Sequence, residues 1–310
     1  MGETRFRNFR TMMKFDGLSV FVTVVEAGSI SAAARRLGLA KSVVSERLAE
    51  LERTVDSRLL HRTTRRLSLT EDGQAFLERA RRMLREADEA VAELAERRGS
   101  LVGPLRISAP VSFGALHLGA ALYPFLKAHP RIELTLELDD RFVDIAADGF
   151  DAVLRHGPVD DGRLVARRLA PSRRILVASP DYLAAHGTPA STTALEGHRA
   201  ILYANRESDW RFDGHDGAVV VRPMAVLRVN NGLIMRDAAV AGLGITLLPA
   251  FMIHSELASG ALRAIDVGLQ AEGADVYIAY LRERGASAKL AALIEALRKV
   301  IGDPPRWDRT

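Results

Sequence analysis

A length of 310 residues predicts about two domains. The composition, 48% hydrophobic and 26% charged residues, is typical of a globular protein. The sequence contains no apolar run of the roughly 18 residues that a membrane span needs. The absence of cysteine excludes disulfides, thiolate zinc sites and thiol nucleophiles. Residues 1–70 carry 13 Lys and Arg against 7 Asp and Glu, a net +6, whereas the remainder carries −2, an asymmetry typical of nucleic-acid-binding proteins. The basic N-terminus lacks the apolar segment of a secretory signal, so we expect a cytoplasmic protein with no membrane partner.

Three short helices are predicted near the N-terminus. The first spans residues 16–27, and the second begins after Ser29, a candidate N-cap, and ends at Gly38. The third spans about 40–55. Its buried face is predicted from the spacing of Val44, Leu48, Leu51 and Val55.

The opposite face of the third helix begins with polar side chains, which are Lys41, Ser42, Ser45 and Glu46. Short donors and acceptors on the N-terminal half of an exposed helix suit contacts with base edges in a major groove. A solvated polar face on a small helical domain is the alternative interpretation. Glu46 can either accept a hydrogen bond from a cytosine amine or pair with a neighbouring arginine.

A basic hairpin is predicted next. Leu59-Leu60 and residues 67–69 form its short apolar strands, and residues 62–66 form the tip. An arginine-rich tip beside a recognition helix is a wing, whose guanidinium groups reach phosphates or enter a minor groove. The candidates for these contacts are Arg65 and Arg66, followed by Arg62.

Four motifs of this region are Ala32-Ala33-Ala34…Leu37, Val44-Ser45, Leu51-Glu52 and Leu69-Thr70…Gly73. With them, the stretch from about Phe15 to Gly73 resembles the N-terminal domain of LysR-type transcriptional regulators without a gap. The resemblance implies a winged helix-turn-helix over residues 13–73 that binds double-stranded promoter DNA. The chain departs from the usual residues of the family at Ala40-Lys41-Ser42, at Glu46 and at Asp56, where the family often has glycine. These departures mean that no base preference of the family can be transferred to this chain. The candidate DNA-binding residues are Ser31, Lys41, Ser42, Ser45, Glu46, Arg62, Arg65 and Arg66.

A long helix is predicted after the wing, with residues 74–98 as a dimerisation linker. Its heptad-like apolar seam consists of Phe76, Ala80, Met83, Ala87, Ala90 and Leu94. Pairing with a second copy is the favoured interpretation, and packing against the chain's own body is the alternative. The LysR-type resemblance implies that this helix pairs two subunits, which predicts a homodimer or homotetramer and a roughly palindromic operator.

From residue 104 to 302, strands and helices alternate, which predicts a parallel, doubly wound α/β sheet. The segments "RRILVASPDYLAAHGTP", "GLGITLLPAF" and "YIAYLRERGASAKLAALIEALRKV" resemble the LysR-type effector domain, which is similar to periplasmic solute-binding proteins. The resemblance implies a mixed α+β and α/β chain whose C-terminal domain has two lobes. The first lobe is expected at about 104–175 and 275–302, and the second at about 176–274.

In such a domain the ligand is expected between the lobes, at strand C-termini and helix N-termini. Ser112 and the following amides suit an anion, Arg155 and His156 add positive charge, and Phe113 and Phe142 suit an apolar wall. The structural alternatives are a plain N-cap, an ion pair and core packing. The candidate effector-binding residues are Pro110, Ser112, Phe113, Arg141, Phe142, Arg155, His156, Asn205, Asn230 and Asn231. An organic or aromatic acid is the effector class that they favour.

Patterns of catalytic chemistry are not visible in the sequence. The histidines form no HxxxH or HExxH spacing, and neither GxxxxGK[ST] nor GxSxG occurs. Asp139-Asp140 and Asp160-Asp161 are interpreted as solvated loop residues. We therefore expect no cofactor, no metal and no enzymatic activity. The predicted function is a ligand-responsive LysR-type transcription factor with RNA polymerase as a further partner; the alternative is a small-molecule-binding protein or enzyme that uses the α/β body.

Overall fold

The computed structural model divides the chain into two compact units, Met1–Leu94 and Ala95–Thr310. No helix within the described part of the chain is long and apolar enough to cross a membrane. The structure describes residues 15–62, 67–96, 99–141, 143–157, 159, 161–205, 210–283, 285 and 287–308.

The N-terminal unit packs helices against a small hairpin and a long helix. Its elements are α1 (Phe15–Ala27), α2 (Ile30–Leu37), α3 (Lys41–Val55), β1 (Leu60–Arg62), β2 (Leu67–Leu69) and α4 (Glu71–Glu96). The core lies between α1, α2 and α3, where Leu18, Phe21 and Leu48 are buried. The base of α4 joins this core through Phe76, whose ring centroid lies 5.8 Å from that of Phe21.

The helix ends confirm the capping signals of the sequence. Ser29 Oγ accepts a hydrogen bond from the Ala32 amide at 3.1 Å, and Gly38 ends α2 with a φ of 65°. Asp56 ends α3 in the same left-handed region, at a φ of 53°. Aspartate tolerates this conformation better than most residues, so the departure from glycine leaves the turn intact.

The turn from the wing into α4 requires a glycine. The Thr70 hydroxyl accepts a hydrogen bond from the Gly73 amide at 2.9 Å and so caps α4. A Cβ atom at Gly73 would lie 2.0 Å from the carbonyl oxygen of Leu59. The backbones therefore approach each other closely only because residue 73 has no side chain.

One prediction about the wing is wrong. Arg62 was expected at the hairpin tip, but it lies in strand β1, where it is in register with Leu67 of β2. The strand continues past the apolar pair Leu59-Leu60 because backbone hydrogen bonding in a ladder does not depend on apolar side chains.

The strands of the C-terminal unit form separate sheets, and the chain passes from one group of strands to the other and back. The strands are β3 (Gly103–Ala109), β4 (Ile132–Leu138), β5 (Ala152–His156), β6 (Leu164–Ala170), β7 (Arg174–Ala178), β8 (Arg199–Tyr203), β9 (Trp210–Gly214), β10 (Gly217–Val221), β11 (Met224–Val229), β12 (Ile245–Pro249), β13 (Arg263–Ala264), β14 (Gln270–Ala271) and β15 (Val276–Leu281). Within the described residues they form two five-stranded sheets, ordered β4-β3-β5-β15-β6 and β11-β8-β12-β7-β13, and a smaller sheet ordered β10-β9-β14. We call the first sheet with its helices lobe 1, and the other two sheets with theirs lobe 2.

Helices cover these sheets. They are α5 (Val111–Phe113), a π-helical turn (Gly114–Leu118), α6 (Gly119–Ala128), α7 (Ile145–Asp148), α8 (Pro180–His186), α9 (Gly232–Val240), α10 (Ala250–Ser259) and α11 (Ala288–Ile301). Short 3-10 segments occur at Thr193–Gly197 and Arg306–Asp308. The inward face of α11 is buried through Leu290, Leu293, Ile294 and Leu297.

The sheets are mixed, which corrects the expectation of a parallel sheet. Strand β3 is parallel to β4 and β5, but β15 is antiparallel to β5 and β6, and β12 is antiparallel to β7. The chain crosses between the lobes after β6 and again before β15. A strand that arrives from the other lobe enters the sheet from the crossing side, so it runs against its neighbours.

Candidate nucleic-acid interface and ligand cleft

The polar face predicted on α3 is present and points away from the core. Lys41, Ser42 and Glu46 are exposed and Ser45 is half-buried. On the opposite side of the same helix, Val44 is fully buried, together with Leu48 and Leu51. The burial of one face holds the helix, and the N-terminal half of the other face is left accessible to a partner.

The carboxylate of Glu46 is not engaged by the neighbouring charged residues of the described chain. Within the described residues Glu46 forms no ion pair, whereas Arg47 pairs with Asp16 at 3.2 Å. The interpretation in which Glu46 pairs with a neighbouring arginine is therefore not supported among the described residues. Ser31 lies in the first turn of α2 and is half-buried.

The wing arginines lie only partly within the described residues. The backbone of Arg62 is in β1, and its side chain is not described. Arg65 and Arg66 lie outside the described residues.

A cavity of about 770 Å³ lies between the lobes of the C-terminal unit. Both lobes contribute to its wall, and so does the second crossing segment, through Glu272 and Ala274. Of the ten residues predicted from the sequence, those that line it are Pro110, Ser112, Arg141, Arg155, His156 and Asn205. The volume is in the range of small-molecule sites, about 300–1,000 Å³.

The other predicted residues do not form the described wall. Phe113 is fully buried in the core, because its ring packs edge-on against Phe251 with centroids 5.3 Å apart. Asn231 caps α9, where its side chain accepts from the amides of Leu233 and Ile234. Asn230 is exposed outside the cavity, and Phe142 lies outside the described residues.

Arg155 is a half-buried cation with an unused donor. Its Nη1 donates to the Leu154 carbonyl at 3.2 Å, but its buried Nη2 has no hydrogen-bond partner among the described residues. Burial lowers the pKa of Arg155, and the charges of Asp139 and Asp140 partly oppose this. A guanidinium keeps its proton in proteins, so Arg155 offers a charged donor to the cavity.

Asp139 and Asp140 are part of the cavity wall, which corrects their interpretation as solvated loop residues. Asp140 Oδ1 accepts from the Val111 amide at 3.0 Å, and burial raises the pKa of Asp140. Asp139 accepts from Arg141 Nη2 at 2.7 Å, and this hydrogen bond lowers the pKa of Asp139. The Val111 amide, which directly precedes the predicted anion site at Ser112 and the following amides, is therefore occupied by an internal carboxylate.

Sequence reasoning missed most of the opposite wall. Lobe 2 and the second crossing segment contribute Arg174, Trp210, Arg211, Met235 and Glu272. Glu272 Oε2 lies 3.8 Å from Arg174 Nη1. The position of Arg174 at the start of the strand after the first crossing was the one available signal, because crossings border the cleft in a two-lobed fold.

An aromatic cluster lies behind the cavity. His156 stacks on Phe251, with centroids 4.9 Å apart and planes 17° apart. His117 Nε2 donates to the Phe251 carbonyl at 2.9 Å, and burial lowers the pKa of His117. Trp307 completes the cluster, with its ring 4.9 Å from His117 and its Nε1 donating to the Pro171 carbonyl at 3.3 Å.

Comparison with known families fits both units. Residues 15–74 match the profile of the bacterial regulatory helix-turn-helix protein of the lysR family, and residues 98–302 match the LysR substrate binding domain. The chain belongs to the LysR family. It is a DNA-binding transcriptional regulator with an N-terminal helix-turn-helix domain and a C-terminal effector-binding domain.

Individual relatives of this LysR-type regulator span almost its whole length. The transcriptional regulator DmlR of Escherichia coli strain K12 is 33% identical over 289 residues, which cover 92% of this chain and 94% of DmlR. PtxR of Pseudomonas aeruginosa is 32% identical, with 94% and 95% covered. Both relatives are named as transcriptional regulators.

Solved structures show the same architecture. The full-length virulence activator AphB of Vibrio cholerae superposes with a TM-score of 0.60 at 28% identity, covering 92% of this chain and 98% of AphB. CrgA, a LysR-type regulator of Neisseria meningitidis, superposes with a TM-score of 0.58 at 31% identity, covering 92% and 99%.

Proposed function

We propose that this regulator binds a roughly palindromic promoter site as a homodimer or homotetramer and responds to a small organic or aromatic acid in the cavity between its lobes. RNA polymerase is a further partner in this proposal. The observation that carries the DNA-binding part is the accessible polar N-terminal half of α3, whose other face is held by Val44 and Leu48 in the core. Such a helix can enter a major groove without disturbing its own domain.

Self-association is supported by the apolar seam of α4. Near the base of the helix, Leu77 and Ala80 are buried against the N-terminal unit. Toward its end, Leu94 of the seam is 57% exposed, and Val91, which lies one turn earlier and widens the apolar stripe, is 69% exposed. A heptad seam that stays exposed supports pairing with the same helix of a second copy, which would bring two α3 helices to two half-sites.

The acid effector is supported by Arg155, which lines the cavity and whose Nη2 has no hydrogen-bond partner among the described residues. Charge-assisted hydrogen bonds between a guanidinium and a carboxylate are among the stronger polar contacts in proteins. Apolar side chains also line the cavity, Met235 and Met252 among them, and they suit the carbon skeleton of such an acid.

The test of DNA binding uses the region upstream of the protein's own gene as the probe. We expect Lys41→Ala to weaken binding about tenfold and to reduce the salt dependence by about one counterion. Lys127→Ala is the matched control, because Lys127 is an exposed lysine of α6 in the other unit.

Fluorescence anisotropy between low and moderate salt gives both quantities, and footprinting with a panel of small acids identifies the site and the effector response. Equal affinities and equal salt slopes for the two variants would remove Lys41 from the interface. A wild-type affinity that does not change with salt would contradict the use of the basic unit in DNA binding.

A further inference from the structure

The lobe 1 wall of the cavity contains a carboxylate and a guanidinium that do not form an ion pair with each other. Asp140 and Arg155 both line the cavity, and each influences the pKa of the other. Among the described residues, no nitrogen of Arg155 lies within ion-pair distance of a carboxylate, so the two charged groups face the cavity without neutralising each other directly.

Asp140 has acceptor capacity that the protein does not use. Its Oδ1 accepts from the Val111 amide, and its second oxygen accepts no hydrogen bond from the described residues. Its neighbour Asp139 differs, because Arg141 engages both oxygens of the Asp139 carboxylate through its Nε and Nη2. Of these two carboxylates, Asp140 is the one that can bind a ligand donor.

Arg155 has the complementary deficit. Its Nη2 is buried and donates to no described residue. A half-buried carboxylate and a half-buried guanidinium whose hydrogen-bonding capacity is only partly used each cost free energy relative to water. A ligand that presents an acceptor to Arg155 and a donor to Asp140 relieves both costs at once.

The remaining wall accommodates an apolar group. Lobe 2 contributes Leu202, Trp210, Met235 and Leu247 to the cavity. The charged wall of lobe 1 and the apolar part of lobe 2 thus face the same space, so a ligand that bridges them has a polar head and an apolar body.

We propose that the effector is an acid with a hydrogen-bond donor, an ammonium or a hydroxyl group, on the carbon next to its carboxylate. Arg155 binds the carboxylate, and Asp140 accepts from the neighbouring donor. The inference rests on the proposed acid effector and narrows it to α-amino or α-hydroxy acids.

The test measures affinities of the full chain for matched acids by isothermal titration calorimetry. Each series shares one skeleton and contains the plain acid, the α-hydroxy acid and the α-amino acid, such as propanoate, lactate and alanine, or phenylpropanoate, phenyllactate and phenylalanine. We expect at least one series in which a substituted member binds about tenfold or more tightly than the plain acid, the size of a hydrogen bond to a charged group. The series also distinguishes an ammonium from a hydroxyl donor.

Asp140→Asn connects this preference to one side chain. The variant keeps an oxygen for the Val111 amide but replaces the second acceptor by a donor, so we expect the preference to fall to about threefold or less. Asp139→Asn is the control, since it removes the adjacent charge and is expected to change the affinities for the plain and the α-hydroxy acid, which carry the same charge, by similar factors.

Equal affinity for plain and substituted acids in every series would overturn the inference and leave an acid effector in place. Absence of binding by every acid would contradict the acid effector as well. A preference that survives in Asp140→Asn would show that another group accepts from the donor, and it would also overturn the assignment.

Discussion

Arg155→Met separates the two roles of the buried guanidinium. Methionine retains an apolar stem of similar length but removes the charge and all donors. The change removes one buried unsatisfied donor, which costs about 1–3 kcal/mol in the wild type, and one hydrogen bond to the Leu154 carbonyl, which contributes about 0.5–1.5 kcal/mol. The free energy of unfolding of the ligand-free protein should therefore stay equal or rise by up to about 2 kcal/mol.

Ligand binding should change in the opposite direction. Loss of a charge-assisted hydrogen bond, about 1.5–3 kcal/mol, lowers the affinity for an acid effector roughly 10- to 150-fold. Urea unfolding followed by circular dichroism measures the first quantity, and calorimetry measures the second. A loss of stability above about 1 kcal/mol would show that Arg155 holds the fold together, and the reasoning from its unpaired nitrogen would then be wrong.

Substitutions at three further positions test the fold. Gly73→Ala should destabilise the N-terminal unit by more than the ~1 kcal/mol of an ordinary helical substitution, because its Cβ meets the Leu59 carbonyl; differential scanning calorimetry checks this. In urea titrations, Trp307→Ala should cost about 3–5 kcal/mol and Trp307→Phe, which keeps a ring, less. His117, whose folded pKa is lowered from 6.5, makes stability fall as the pH drops below 6.5; His117→Gln should reduce this slope in unfolding curves at several pH values.

Local signals predicted the N-terminal unit well because its structure is local. The caps at Ser29 and Gly38 and the two faces of α3 follow from residues three or four positions apart. Arg62 was misplaced because the length of a two-stranded ladder depends on pairing with Leu67, which composition does not report.

The cavity was predicted only in part because its walls come from distant segments. Arg155 lies near the C-terminal end of β5 and Ser112 follows β3, and these positions were visible in the sequence. Trp210 carries no such signal, since only the chain crossings bring it opposite lobe 1. Asp140 was misread because a pair of adjacent aspartates looks solvated until the Val111 amide is seen next to one of them.

The short segment after α11 sets the boundary of any isolated effector domain. The family profile ends at residue 302, yet Trp307 covers the rings of Phe113 and Phe251, and Asp308 pairs with Arg173 at 3.2 Å. A fragment that stops where the profile stops would expose these rings to water and release the segment between β6 and β7. A purification tag on this protein therefore belongs beyond residue 308, at the end of the chain.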